Sequence, residues 1–179
     1  MDMSTAIQRL TQLDQAGRYV FSHRDLEKVF PEDSPPTLHS GLNRLVKQDI
    51  LVRAARGVYL YGLSHQKNGP KTIELIARTL RRGRYSYISL ESALSEYGAI
   101  SQIPVDRITI MTSGRKGEYK TPFGTIEFTH TRRSLSDILE NTYDSGRPLR
   151  IATKQAAWRD LKRVGRNTHL VEEDVINEN

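Results

Sequence analysis

Apolar residues recur along this chain at helical spacing, then at alternating spacing, and the switches mark its elements. In 4–16, Ile7, Leu10 and Leu13 stand three residues apart with polar residues opposite, which predicts an amphipathic helix closed at Gly17. A short apolar run, 18–21, follows. Ser22 with Asp25 three residues on is a capping-box-like start for a second helix that would bury Leu26, Val29 and Phe30. The turn Pro31-Glu32-Asp33-Ser34 leads into a third helix, 35–47. There Ser34 is the predicted N-cap, and two prolines occupy the first turn, where a missing N–H costs no hydrogen bond. Leu38, Leu42, Leu45 and Val46 fall on one side of that helix. After Asp49 the period changes to alternation, predicting strands at 50–53 and 58–61 around a turn at 54–57 with a basic tip, Arg53 and Arg56. Helix, link, helix, tight turn, longer helix and hairpin is the order of a winged helix-turn-helix.

Segment 62–70, polar with two glycines and a proline, predicts a domain boundary. A helix is expected over 71–82 through Ile73, Ile76, Ala77 and Leu80. It is followed by a short strand at 85–88 and a helix capped by Ser89 that ends at Gly98. Alternation returns at 108–112 and 125–130. The intervening link holds three glycines and a proline, so an antiparallel strand pair with a long basic connection is expected. Ser134 and Asp137 predict a helix reaching Tyr143. A strand at 149–152 and a helix from Thr153 through Leu161 and Val164 close the pattern before an acidic tail. The fold class expected is α+β: a winged helix-turn-helix over 1–65, then a mixed α/β domain over 70–179 with an antiparallel strand pair.

Charge sharpens this picture. The chain carries 27 Lys and Arg against 21 Asp and Glu, a net +6, with a pI near 9.6, which favours nucleic acid as partner ahead of an anionic membrane surface. Residues 1–33 hold four cations and six anions, whereas 34–67 hold five and one, so the local balance moves from −2 to +4 where the third helix and hairpin lie. The outward face of that helix has hydroxyls, an amide and cations but no carboxylate. Ser40, Asn43 and Arg44 are the candidates for base edges. Thr37, Lys47, Arg53 and Arg56 are the candidates for phosphates, with His39 flanking them. Double-stranded DNA is the partner expected.

Other chemistry is poorly served. The five histidines are scattered without an HxxxH or HExxH pair, and cysteine is absent, so neither a metal site, a disulfide nor a cysteine nucleophile is expected, and no cofactor. Gly114-Arg115-Lys116-Gly117 has the glycines of a phosphate cradle without GxxxxGK[ST] spacing. It is read as a basic hairpin loop in which Arg115, Lys116 and Lys120 could meet a DNA phosphate. No catalytic constellation is present, so an enzyme is not expected; a nuclease would need clustered carboxylates or histidines. A protein-interaction module, with the charge serving solubility, is the rival to DNA binding. No apolar run approaches the roughly 20 residues that span a bilayer, and the first residues lack a signal-peptide pattern. A cytoplasmic protein without membrane association is expected.

The run LHSGLNRLVKQDILVRAARGVYLYG, followed by a helix and YSYISLESALSEYGAI, resembles the AbiEi antitoxin family of abortive-infection toxin–antitoxin systems. The family's phrase is matched by Ile88, Ser89, Glu91, Ser92, Ala93, Leu94, Tyr97 and Gly98, and the similarity continues through ITIMTSGRKGEY and GTIEFTHTRR. The resemblance implies a bacterial transcriptional regulator. Such a protein would bind inverted repeats in its own operon's promoter and repress it. Its C-terminal domain would counteract a nucleotidyltransferase-like toxin, with direct contact not required. A plain repressor without antitoxin activity is the alternative.

Overall fold

Side-chain caps fix where the first three helices of this chain begin, and the computed structural model, which describes residues 1–101 and 106–178, shows them in place. Asp2 caps α1 (Met3–Gln15), Ser22 and Asp25 form a reciprocal capping box on α2 (His23–Val29), and Ser34 caps α3 (Pro35–Lys47) by accepting from the Thr37 amide. Each cap satisfies backbone donors that the first turn leaves without an intrahelical partner. The chain divides into two compact units, Met1–Leu80 and Arg81–Asn179.

In the first unit a short strand β1 (Val20–Ser22) precedes α2. After α3 come β2 (Leu51–Ala55) and β3 (Val58–Tyr61), giving an antiparallel sheet of order β1-β3-β2. Leu10, Phe21, Leu26, Phe30, Leu38, Leu42, Leu45, Leu51 and Leu60 are each at most 1% exposed, so the apolar stripes of three helices and one face of the sheet close on a single core. The hairpin is tighter than the sequence suggests. β2 runs two residues further, with an irregularity between Arg53 and Ala55, and only Arg56-Gly57 make the turn, Gly57 at φ +74°. Arg53 therefore lies on β2 opposite Tyr59 and not at the tip.

A helix α4 (Lys71–Leu80) follows, and it corrects the expected boundary. The division falls after Leu80, because α4 packs on β1 and β3, buries Ile76 and Ala77, and joins Thr72 to the Tyr19 hydroxyl at 2.9 Å. The polar segment 62–70 is a connection within the first unit.

The second unit comprises β4 (Ser86–Ile88), α5 (Leu90–Glu96), β5 (Arg107–Thr112), β6 (Gly117–Thr121), β7 (Gly124–His130), α6 (Leu135–Glu140), β8 (Thr142–Tyr143), β9 (Arg150–Ala152), α7 (Lys154–Val164), a 3₁₀ turn (Thr168–Leu170) and α8 (Glu173–Asn177). Its sheet is mixed, in the order β6-β7-β5-β4-β9-β8. The expected antiparallel pairing of 108–112 with 125–130 is corrected: β5 and β7 run parallel, from Arg107 opposite Thr125 to Thr112 opposite His130. The reason lies in their link, which contains β6. That strand reverses the chain at Thr121-Pro122-Phe123-Gly124 and pairs antiparallel with β7 on the outside. The helix expected to reach Tyr143 stops at Glu140, with Asn141 as its C-cap, and Tyr143 enters β8 beside β9. The fold is α+β, with one antiparallel and one mixed sheet.

Candidate nucleic-acid interface

Burial of Leu38, Gly41, Leu42 and Leu45 fixes how α3 is rotated and turns the remaining side chains to water. Thr37, His39, Ser40, Asn43, Arg44 and Lys47 are all exposed. Thr37, Ser40, Arg44 and Lys47 follow one another at i, i+3, i+7 and i+10, a single ridge about 15 Å long at the helical rise. No carboxylate interrupts it. The two acids just before the helix are neutralised locally, Glu32 by Arg9 at 2.8 Å and Asp33 by the Met1 amine at 3.0 Å.

Four of these side chains already have partners. Thr37 Oγ1 lies 2.8 Å from Ser34 Oγ, within the cap. The Asn43 amide nitrogen lies 3.2 Å from His39 Nε2, an i, i+4 pair that holds the amide against the imidazole. Arg44 donates from Nη2 to the Met1 carbonyl at 2.5 Å, and Met1 covers Gly41 so closely that an added Cβ would sit 3.1 Å from its sulfur. Arg44 is thus anchored by one arm. A guanidinium carries five N–H donors in a planar fork, so this bond leaves others for an acceptor outside the protein. Arg56, at the hairpin turn, and Arg53, on β2, are both exposed and lie in the same unit as α3.

The second cationic group of residues lies in the other unit. Arg115 and Lys116 occupy the connection between β5 and β6, while Lys120 sits on the outer strand β6 and not in a loop. The connection is held from inside by a residue the sequence did not single out. Arg81 is 7% exposed, donates from Nε to the Arg115 carbonyl at 2.8 Å, and lays its guanidinium 4.1 Å from the Phe128 ring centre and 5.2 Å from that of Tyr119. It stands in the run Arg81-Arg82-Gly83-Arg84, and nothing in that run marks one arginine as buried. The Gly114 amide donates to Thr112 Oγ1 at 3.1 Å, and the Gly114 carbonyl lies 2.7 Å from His130 Nδ1. The Gly114 amide, one of the donors that a phosphate cradle would aim outward, is thus engaged within the protein.

Residues 88–98 are tied internally as well. Ser89 makes no side-chain cap on α5; its hydroxyl instead donates to Asp160 Oδ2 at 2.8 Å, beside the Tyr87 hydroxyl at 3.1 Å. Arg133 donates to the other oxygen of Asp160 from Nε at 3.2 Å and Nη2 at 3.0 Å. Burial, and then the neighbouring Asp160 charge, push the Tyr87 phenol above its ordinary range. Glu91 is buried against Arg166 (2.7 and 3.1 Å) and Asn167 (3.0 Å). The Tyr97 hydroxyl donates to the Ala152 carbonyl at 2.7 Å. Leu90, between Ser89 and Glu91, adopts φ +57°, which a non-glycine residue rarely does, and is fully buried. The phrase therefore bolts β4 and α5 to α7, β9 and the segment after α7. Among the described residues no group of three or more His, Asp or Glu is placed to hold a metal ion, and no helix is long and apolar enough to cross a membrane.

A family model described as a family of unknown function, DUF6088, matches residues 9–170. No curated protein matches the sequence. Among solved structures, the crystal structure of the RV2827C protein from Mycobacterium tuberculosis is similar, with a TM-score of 0.58 and 15% sequence identity over 88% of this chain. The match covers 60% of that chain, so this protein spans less than two thirds of its neighbour's length, and the likeness is one of fold.

Proposed function

The chain belongs to the DUF6088 family, whose function is unknown, and we propose that it is a DNA-binding transcriptional repressor whose first unit is a winged helix-turn-helix. The observation that carries this reading is the exposed, carboxylate-free ridge of α3, backed by a core and flanked by a hairpin with Arg56 at its turn. The succession α1, β1, α2, α3, β2, β3, with β1 joining the hairpin, supports the winged-helix reading. In it α3 enters the major groove, with Ser40, Asn43 and Arg44 facing base edges and Thr37, His39, Lys47, Arg53 and Arg56 facing phosphates. Arg115, Lys116 and Lys120 add phosphate contacts from the second unit.

Resemblance to the AbiEi antitoxins extends the proposal. The repressed operon is the protein's own, the operator is an inverted repeat, and the second unit counteracts a nucleotidyltransferase-like toxin in the cytoplasm. The residues that carry the resemblance, Ser89, Glu91 and Tyr97, bind within the protein, so they support a shared fold for that unit and not a toxin-contacting surface.

Fluorescence anisotropy with a duplex from the upstream region and a scrambled duplex, over a salt series, tests the repressor. A bidentate arginine contact supplies about 1–3 kcal/mol of base discrimination. Arg44→Ala is therefore expected to lower the ratio of specific to random affinity roughly tenfold or more. Lys47→Ala is expected to weaken both duplexes alike and flatten the salt slope by about one. Equal affinity of the unaltered protein for both duplexes would end the operator reading. Co-expression of the whole protein with a neighbouring toxic gene tests the antitoxin role, and unrelieved growth arrest would remove it.

A further inference from the structure

Most large apolar side chains of the second unit are inside it, but three exposed ones lie close together in sequence. Leu135 and Leu139 are 41% and 48% exposed and stand at i, i+4 on α6; Tyr143, 44% exposed, follows on β8 at the free edge of the six-stranded sheet. The inward side of α6 is accounted for by Ile138, which is buried, and by Asp137, which accepts from Arg133 and Arg159 at 3.4 Å. Helical spacing then turns Leu135 and Leu139 outward together, with Ser136 and Glu140 alongside.

The charges around these leucines have a direction. Arg132, exposed, precedes α6, and its neighbour Arg133 is drawn inward to Asp160. Glu140 ends the helix and Asp144 follows β8, both exposed. Among the described residues neither Arg132 nor Glu140 makes an ion pair. The patch is thus positive at its start, apolar in the middle and negative at its end. A two-fold axis through its centre would set Leu135 against Leu139 of another copy and Arg132 against Glu140, twice over. A surface that is its own complement under that rotation is what an isologous contact requires.

We propose that the α6–β8 face is a self-association surface that pairs two copies of this chain with their α6 helices antiparallel. Three apolar side chains fall well short of the roughly 800 Å² per partner of a stable interface, so the dimer is weak and concentration-dependent. It forms without DNA, so its test is separate from that of operator binding.

Sedimentation equilibrium of the full chain over roughly 5–500 µM, the range suited to a small interface, is expected to show a monomer–dimer equilibrium. Leu139→Glu is expected to raise the dissociation constant at least tenfold while circular dichroism is unchanged. Arg132→Glu and Glu140→Arg place like charges opposite each other, so each variant alone is expected to be monomeric. Mixed in equal amounts, the two are expected to form dimers, since every pair across the axis is then of opposite sign; the double variant Arg132→Glu/Glu140→Arg is expected to dimerise by itself. A monomer at every concentration, or dimers that ignore both Leu139→Glu and the charge reversals, would overturn the proposal. So would failure of the mixed variants to associate.

Discussion

Glu91 shows how one residue can change meaning between sequence and structure. Within SLESALSEYG it is an acid in the first turn of a helix, where solvent and the dipole would suffice. In the folded chain it is 7% exposed. Burial alone would raise its pKa, but the hydrogen bonds from Arg166 and Asn167, with the Arg166 charge, outweigh burial and hold it below its ordinary value of 4.5. A carboxyl depressed in the native state adds stability above its unfolded pKa and loses that contribution as the pH falls through its folded pKa. Unfolding in urea, followed by fluorescence of Trp158, the single tryptophan and a residue of α7, reports on this unit. The midpoint of the unaltered protein should fall more steeply between pH 5 and pH 3, by the linkage of a depressed carboxyl, than that of Glu91→Gln, which should already be less stable at pH 7. Identical slopes would mean that this ion pair contributes nothing to the acid sensitivity.

Among the elements, the junction between α3 and the hairpin is the tightest point of the first unit. Asp49 adopts φ +57° after the helix, and Gly62, where β3 ends, passes so near that an added Cβ would stand 2.1 Å from the Asp49 carbonyl oxygen. Its amide also donates to the Ile50 carbonyl at 2.8 Å. Gly62→Ala must displace backbone and is expected to cost about 2–4 kcal/mol, at or beyond the upper range for overpacking. Gly57→Ala, at φ +74° with open space around it, bears only the left-handed backbone strain of about 1–2 kcal/mol. Chemical denaturation followed by circular dichroism separates the two, and an equal loss from both would show that the contact is relieved cheaply. The hairpin end was therefore visible as a glycine in a polar stretch, but the reason for the glycine is a close approach between residues 13 positions apart.

For the whole molecule, the position of α4 decides what can fold alone. The fragment 1–80 keeps Ile76 and Ala77 in the core and Thr72 on Tyr19. A fragment 1–65, cut in the polar segment, exposes the surface that α4 covers. Thermal unfolding should be cooperative for 1–80 and should begin well below it, by more than 10 °C, for 1–65, since losing two to three kcal/mol moves a small domain by about that much. Equal midpoints would restore the boundary to 62–70.

Local order was settled by the chain's own chemistry. Ser22, Ser34, Ser134 and Thr153 cap the helices that their spacing predicted, the apolar stripe of α3 is its buried face, and the absence of acids from the opposite side needs no coordinates to see. These features depend on residues within a turn or two of each other, where hydrogen-bond reach and helical period leave few alternatives. Partners distant in sequence were decided only by folding. β6 was hidden in a stretch that read as a loop, and its presence made β5 and β7 parallel. Ser89 left its cap for Asp160, 71 positions away, and Arg81 was drawn under aromatic rings while its neighbours stayed in water. Alternation shows which residues can share a face but not which strand will lie beside another, and a polar side chain is committed only when a distant element brings a partner that compensates its loss of water.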